Sequence, residues 1–307
     1  MNVFLSLLVQ LTPLYFMVLL GFAGTRYLQA QKETVSKMLL YLIIPIVIFQ
    51  GAYTAPLQIS SLSLPILFFV ISCTVCVIFY LIGKLVYHQD TTKNVLAMVA
   101  GSANSGYYAV PVAMTLFDDS VFSLVIMSAM GFIIYSNTVG FLITARGKHT
   151  LPESIVKLLQ LPVLYAFVLG LVLNALGIEL GQVVADTITQ FKGAYTVLGM
   201  MMIGMGLAEA SFKNFDRKFI LLAFGARFLC WPAIMGALVL VDRSLFHIYD
   251  VNIYKIFVLM ASVPLSANNV AYATELGVHP QKVAVAVFLS TIFALFFVPL
   301  MTTIFIY

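Results

Sequence analysis

Charge is scarce in this chain. Only 9% of its 307 residues are Asp, Glu, Lys or Arg, against roughly 25% in soluble domains. Hydrophobic residues make up 62%. A soluble core has no room for that much apolar surface, so lipid must be the solvent. The formal net charge of +4 comes without a basic patch, which excludes nucleic acid as a partner. Cysteine is nearly absent too. Cys73, Cys76 and Cys230 all fall in apolar segments, and the C-x-x-C spacing of the first two reads as two small apolar residues rather than a redox or zinc motif. His88, His149, His247 and His279 fall in loops and do not cluster, so no metal site is expected. There is no H-E-x-x-H, no G-x-S-x-G and no pair of aspartates in mid-span, and the serines of GSANSG have no base near them. Nothing points to an enzyme or to a bound cofactor. The first residues carry no basic group ahead of their apolar run, unlike a cleavable leader. They are expected to form a retained first span.

Long apolar runs fill the rest. A membrane span needs about 20 mostly apolar residues, and ten candidates follow one another: 3–24, 36–53, 62–83, 94–116, 119–144, 156–177, 188–209, 217–240, 252–276 and 282–306. Lys and Arg alternate between the two sets of connections. One set holds Arg26, Lys32, Lys37, Lys84, Lys93, Arg146, Lys148, Lys157, Lys213, Arg217, Lys218 and Lys282; the other holds Arg243 and Lys255 among aspartates and Glu179. The first set is therefore expected on the cytoplasmic side, with both termini outside.

The two halves of the chain echo one another. Lys84-Leu85-Val86-Tyr87-His88 returns 159 residues later as Arg243-Ser244-Leu245-Phe246-His247, each just before a span of unusual composition. Residues 1–150 and 151–307 then read as two five-helix repeats. Five is odd, so the second copy enters the membrane from the opposite side. Secondary transporters are built this way.

The fourth and ninth spans are the unusual ones. The fourth contains GSANSGYYAVPVAMTLF, with Asn104 and Pro111; the ninth contains ASVPLSANNVAYATELG, with Pro264, Asn268 and Asn269. Proline removes a backbone N–H and blocks a turn contact. Freed polar groups survive at membrane depth only in a cavity or against protein. Two such breaks in corresponding repeats predict a midplane site, in which bare half-helix N-termini and the three asparagines hold an anionic solute.

Other polar residues are candidates to line it. Arg227 lies nine residues after Lys218, about 13 Å along the eighth span. It is expected either to take a second substrate carboxylate or to bond carbonyls of a neighbouring helix. Tyr107 and Gln50 are further candidates. Lys192 is expected to reach the surface. No carboxylate lies at mid-membrane, so coupling to H+ or Na+ has no visible carrier in the sequence.

Asn104 and Pro111 after a Gly/Ser-rich start resemble the fourth-helix motif of the auxin efflux carrier family. Ala261-x-x-Pro264 and the run Ala273-x-Glu275-Leu276-Gly277-Val278-His279-Pro280 resemble its ninth helix and following turn. Pro45 in LLYLIIPIVIF and Asn137-Thr138 in FIIYSNTVGF are similar to its second and fifth helices. The short connection between spans five and six is like that of the bacterial members called malate permeases. The resemblance implies a ten-helix fold related to bile-acid and sodium–proton transporters, with helices 1, 2, 6 and 7 as scaffold and helices 3–5 and 8–10 as transport domain. It also implies an elevator-like carrier of mono- or dicarboxylates in the bacterial inner membrane, a homodimer, and Asn137 among the site residues. Plant members carry a second proline where this chain has Asn269. A receptor on the same fold, binding without moving its ligand, is the alternative; solute flux separates the two.

Overall fold

The computed structural model describes residues 3–88, 90–145, 152, 156, 159–209 and 216–306. Arg146, Lys148, Lys157 and Lys213 of the basic connections lie outside the described residues, as does the side chain of Glu209.

Among the described residues every regular element is helical. That follows from the composition. A backbone surrounded by hydrocarbon must satisfy its own N–H and C=O groups, and a helix does so within one segment. The helices are α1 (Val3–Leu28), α2 (Lys32–Tyr53), α3 (Leu64–Tyr87), α4 (Thr92–Gly101), α5 (Val110–Leu116), α6 (Val121–Ala145), α7 (Pro162–Ala175), α8 (Gln182–Glu209), α9 (Arg217–Phe246), α10 (Val251–Ser262), α11 (Asn268–Glu275) and α12 (Pro280–Phe305). Among the described residues, seven helices are long and apolar enough to cross a membrane: α1, α2, α6, α8, α9, α12 and the run Ile59–Tyr87 that ends in α3. By contrast α7 and α10 are shorter apolar helices, and the fourth and ninth spans are each divided in two.

Several ends are closed by a residue in the left-handed region. His279 (φ 48°) precedes the start of α12, while Gln29, His88, Gly177, His247 and Gly277, with φ between 47° and 66°, each follow a helix. Such a residue turns the chain out of a helix and lets its N–H reach back to the last turn. His247 does this toward Asp242.

The chain divides into two compact units. One comprises Met1–Leu64, Gly106–Met127 and Leu159–Glu209. Here α1 lies along α8 and α7 along α2. The crossings are glycine-lined. A methyl on Gly21 or Gly204 would collide with the backbone of Met201 or Val18, and one on Gly170 would stand 2.5 Å from the Phe49 carbonyl oxygen. In lipid, close backbone approach supplies the helix–helix attraction that hydrophobicity cannot. Asn174 donates its amide to the carbonyls of Ala52 and Ala55, at 3.2 and 2.7 Å, closing the end of α2. The Lys192 ammonium lies 4.4 Å from the Phe122 ring centroid.

The other unit comprises Pro65–Ser105, Ser128–Leu158 and Ala210–Tyr307. Its core is aromatic. Phe257, Phe68, Phe132 and Trp231 pack one against the next in tilted or edge-to-face pairs, with centroids 5.2–6.0 Å apart. At one end, beyond the apolar spans, Lys282 Nζ pairs with Asp216 Oδ2 at 2.9 Å. Burial opposes ionisation of Asp216, but the N–H of Phe219 and the Lys282 ammonium outweigh it and hold its carboxyl below the usual range.

Candidate functional site

The second unit contains both interruptions. α4 stops at Gly101, Ser102 is extended, residues 103–104 are irregular, and a π turn (Ser105–Ala109) leads into α5. α10 stops at Ser262 and α11 begins at Asn268. The break in the fourth span is thus seven residues ahead of Pro111. That proline occupies the first turn of α5 instead, where its missing N–H costs nothing. The break in the ninth span contains Pro264 itself.

The two interruptions are bonded to each other. The Asn104 N–H donates to the Pro264 carbonyl at 2.9 Å, and the Asn269 amide donates to the Ser102 hydroxyl oxygen at 2.6 Å. Each break also exposes the carbonyls of a helix's last turn, which have no partner inside the helix. At the end of α4, the Tyr135 hydroxyl lies 3.2 Å from the carbonyls of both Ala97 and Met98, and the Trp231 indole N–H donates to Ala100 at 2.9 Å. At the end of α10, Arg227 Nε donates to the Val263 carbonyl at 2.5 Å and Nη2 donates to that of Met260. The Leu265 N–H reaches the Ser290 hydroxyl oxygen at 3.2 Å.

Fewer backbone donors are bare than the sequence suggests. The N–H groups of Asn269 and Val270, at the start of α11, bond back to Ser266 and Ala267. An unmet N–H costs several kcal/mol in hydrocarbon, roughly, so the first turn tightens onto its own carbonyls. Side chains hold the unused capacity: Asn104 Nδ2, Asn269 Oδ1 and Arg227 Nη1 are buried with no hydrogen-bond partner among the described residues. Arg227 is 0% exposed. Its charge lies at the negative end of the α10 dipole, and its guanidinium carbon is 5.1 Å from the Trp231 ring centroid.

The expected site residues divide accordingly. Asn104, Pro264, Asn269 and Arg227 meet at the paired breaks, with Asn268 opening α11 half-buried beside them. Asn137 belongs to the same unit, but both ends of its amide are engaged: Nδ2 donates to Ile133 and Oδ1 accepts from the Tyr272 hydroxyl. Tyr107, Pro111 and Gln50 belong to the other unit. There Tyr107 and Pro111 are buried and Gln50 keeps a buried Oε1 without a partner. Sequence reasoning missed Trp231, Tyr135 and Ser290, since an aromatic or serine in an apolar helix looks like packing. The available signal was position, with Trp231 four residues after Arg227.

Comparison with known proteins agrees with this picture. The model of a family described as membrane transport protein matches residues 149–302. An uncharacterized transporter of Methanocaldococcus jannaschii is 22% identical over 311 residues, covering 98% of this chain and 97% of that one. An uncharacterized transporter of Methanothermobacter thermautotrophicus is 27% identical over 301 residues, covering 96% and 95%. An all-helical chain with several apolar spans, two of its candidate spans interrupted, and full-length likeness to transporters thus belongs to the membrane transport protein family, that of the auxin efflux carriers.

Proposed function

We propose that this chain is a secondary carrier for a small organic anion, a mono- or dicarboxylate, working by elevator-like alternating access. The carrying observation is the pair of buried, unpartnered donors at the breaks, Asn104 Nδ2 and Arg227 Nη1. A buried donor without an acceptor is unfavourable by roughly 1–3 kcal/mol, and a carboxylate supplies the acceptor to both. Asn269 Oδ1 and the half-buried Asn268 complete the polar lining. Pro264 shapes the ninth span around it, and Asn137 of the same unit is a further lining candidate.

The ten-helix inverted repeat, related to bile-acid and sodium–proton transporters, belongs to the proposal. It is supported by paired left-handed helix ends: Gln29 matches Gly177 and His88 matches His247 in the two halves. Division into scaffold and transport domain is supported by the grouping of α1, α2, α7 and α8 in one compact unit and of α3, α4 and α9–α12 in the other, although α5 and the start of α6 join the first. The homodimer, the bacterial inner membrane and outward termini complete the reading; light scattering in detergent and impermeant cysteine labelling test them.

The decisive experiment is uptake of radiolabelled carboxylates into proteoliposomes, preceded by a thermal-shift screen with and without sodium. Asn104→Ala is expected to abolish binding while the protein stays folded. Arg227→Gln is expected to favour monocarboxylates over dicarboxylates. Wild-type flux in Asn104→Ala removes that residue from the site. Binding without flux identifies a receptor.

A further inference from the structure

Trp231 is the sole tryptophan of the chain. Its ring is 0% exposed, and the π turn Ala226–Cys230 lies immediately before it in α9. π turns within helices concentrate at functional positions. Four residues apart on a helix, Arg227 and Trp231 lie on one face, and each holds a different broken span. Trp231 Nε1 donates to Ala100, one residue from the end of α4, while Arg227 bonds Met260 and Val263 at the end of α10. The Arg227 guanidinium carbon lies 5.1 Å from the indole centroid, and the Phe132 ring packs against the indole at 5.2 Å with a 44° tilt.

We propose that Trp231 is a positioning residue that couples the two breaks: its N–H fixes the carbonyl end of α4, and its ring orients Arg227 on the end of α10. It contacts no substrate. The Ala100 carbonyl is among the last of its helix and has no intrahelical partner. A buried carbonyl in that state requires a donor, and of the two Trp231 functions only this one depends on the indole nitrogen. The role as positioning residue for a solute rests on the carrier reading above. The tie between the helices does not.

The test uses full-length protein in detergent. Trp231→Phe keeps a ring but deletes the donor. Replacing the single tryptophan with its benzothiophene isostere, sulfur in place of N–H, deletes the donor with almost no change of shape, which covers the case in which Trp231→Phe fails to fold. Amide hydrogen exchange over residues 97–104 is expected to quicken about tenfold in either protein, the loss of one buried hydrogen bond, while α1 exchanges as before. Affinities for succinate and propionate are expected to fall by one common factor, leaving their ratio unchanged. In the wild type, succinate is expected to shift the tryptophan emission, and Asn104→Ala to remove that shift. Unchanged exchange at 97–104 overturns the tie. A changed succinate-to-propionate ratio overturns the positioning role, because it means that Trp231 touches substrate. If exchange quickens as stated but the wild type binds neither carboxylate, the carrier reading fails and the tie stands.

Discussion

The break in the fourth span and the break in the ninth span pose the same physical problem and solve it differently. Each leaves the carbonyl end of a short helix inside an apolar interior. The end of α4 is met by neutral donors, the hydroxyl of Tyr135 and the indole of Trp231. The end of α10 is met by the guanidinium of Arg227, which serves two carbonyls at once. A neutral donor satisfies a carbonyl and adds no charge. A buried guanidinium adds a full charge whose desolvation costs several kcal/mol, roughly, offset here by the helix dipole and two charged hydrogen bonds. The unit therefore has a neutral break and a positive one. In the carrier reading proposed above, an anion between Asn104 and Arg227 would be held by hydrogen bonding at one side and by charge at the other.

Substitutions that remove one side's holding groups test that asymmetry. The largest effect is expected from Arg227→Gln. Two carbonyls lose charged donors together, at a cost of about 3 kcal/mol or more, visible as a lower thermal midpoint in detergent. Arg227→Lys is expected to recover only part of the loss, since an ammonium is a point charge that cannot fork. A loss no larger than that of a neutral donor at α4 would abolish the distinction. Gly101→Ala comes next. Its methyl would meet the Tyr135 hydroxyl and stand 2.6 Å from the Ser72 carbonyl oxygen. About 2 kcal/mol of overpacking strain is expected, with faster amide exchange at 97–104 and none at 258–265. Exchange rising equally at both breaks would show that they are not held separately. Tyr135→Phe should cost about 1 kcal/mol by deleting the hydroxyl that serves Ala97 and Met98. Ser290→Ala should be the smallest, at or below about 1 kcal/mol: it loses the 3.2 Å bond from the Leu265 N–H and the hydroxyl's own bond to the Val287 carbonyl one turn back in α12. Its exchange signature belongs at residue 265 alone.

Some of this was readable in one dimension. Interruptions near Asn104 and near Pro264 were legible because Gly, Ser, Asn and Pro are poor helix formers wherever they sit. The exact place of the fourth-span break was not, since Pro111 is equally at home in the first turn of a helix, and the residues before it decide. Asn104 and Asn269 were legible as polar groups that need partners at depth. Their actual partners were not: Asn269 bonds Ser102 across 167 positions of chain, and Trp231 bonds Ala100 across 131. Asn137 shows the opposite case. The family resemblance implied it for the site, and the fold gives both ends of its amide to Ile133 and Tyr272.

The sequence by itself determined the solvent, the helical answer to it, and which spans break, because transfer free energies and backbone propensities are properties of local composition. Only the tertiary structure decided which end of each broken span meets which donor, and that Asn104, Asn269 and Arg227 keep unused capacity at the breaks. Hydrogen bonds are short-ranged and directional, so their partners are chosen by the packing of helices far apart in the chain, and no local property of Arg227 or Trp231 specifies the carbonyl that either one holds.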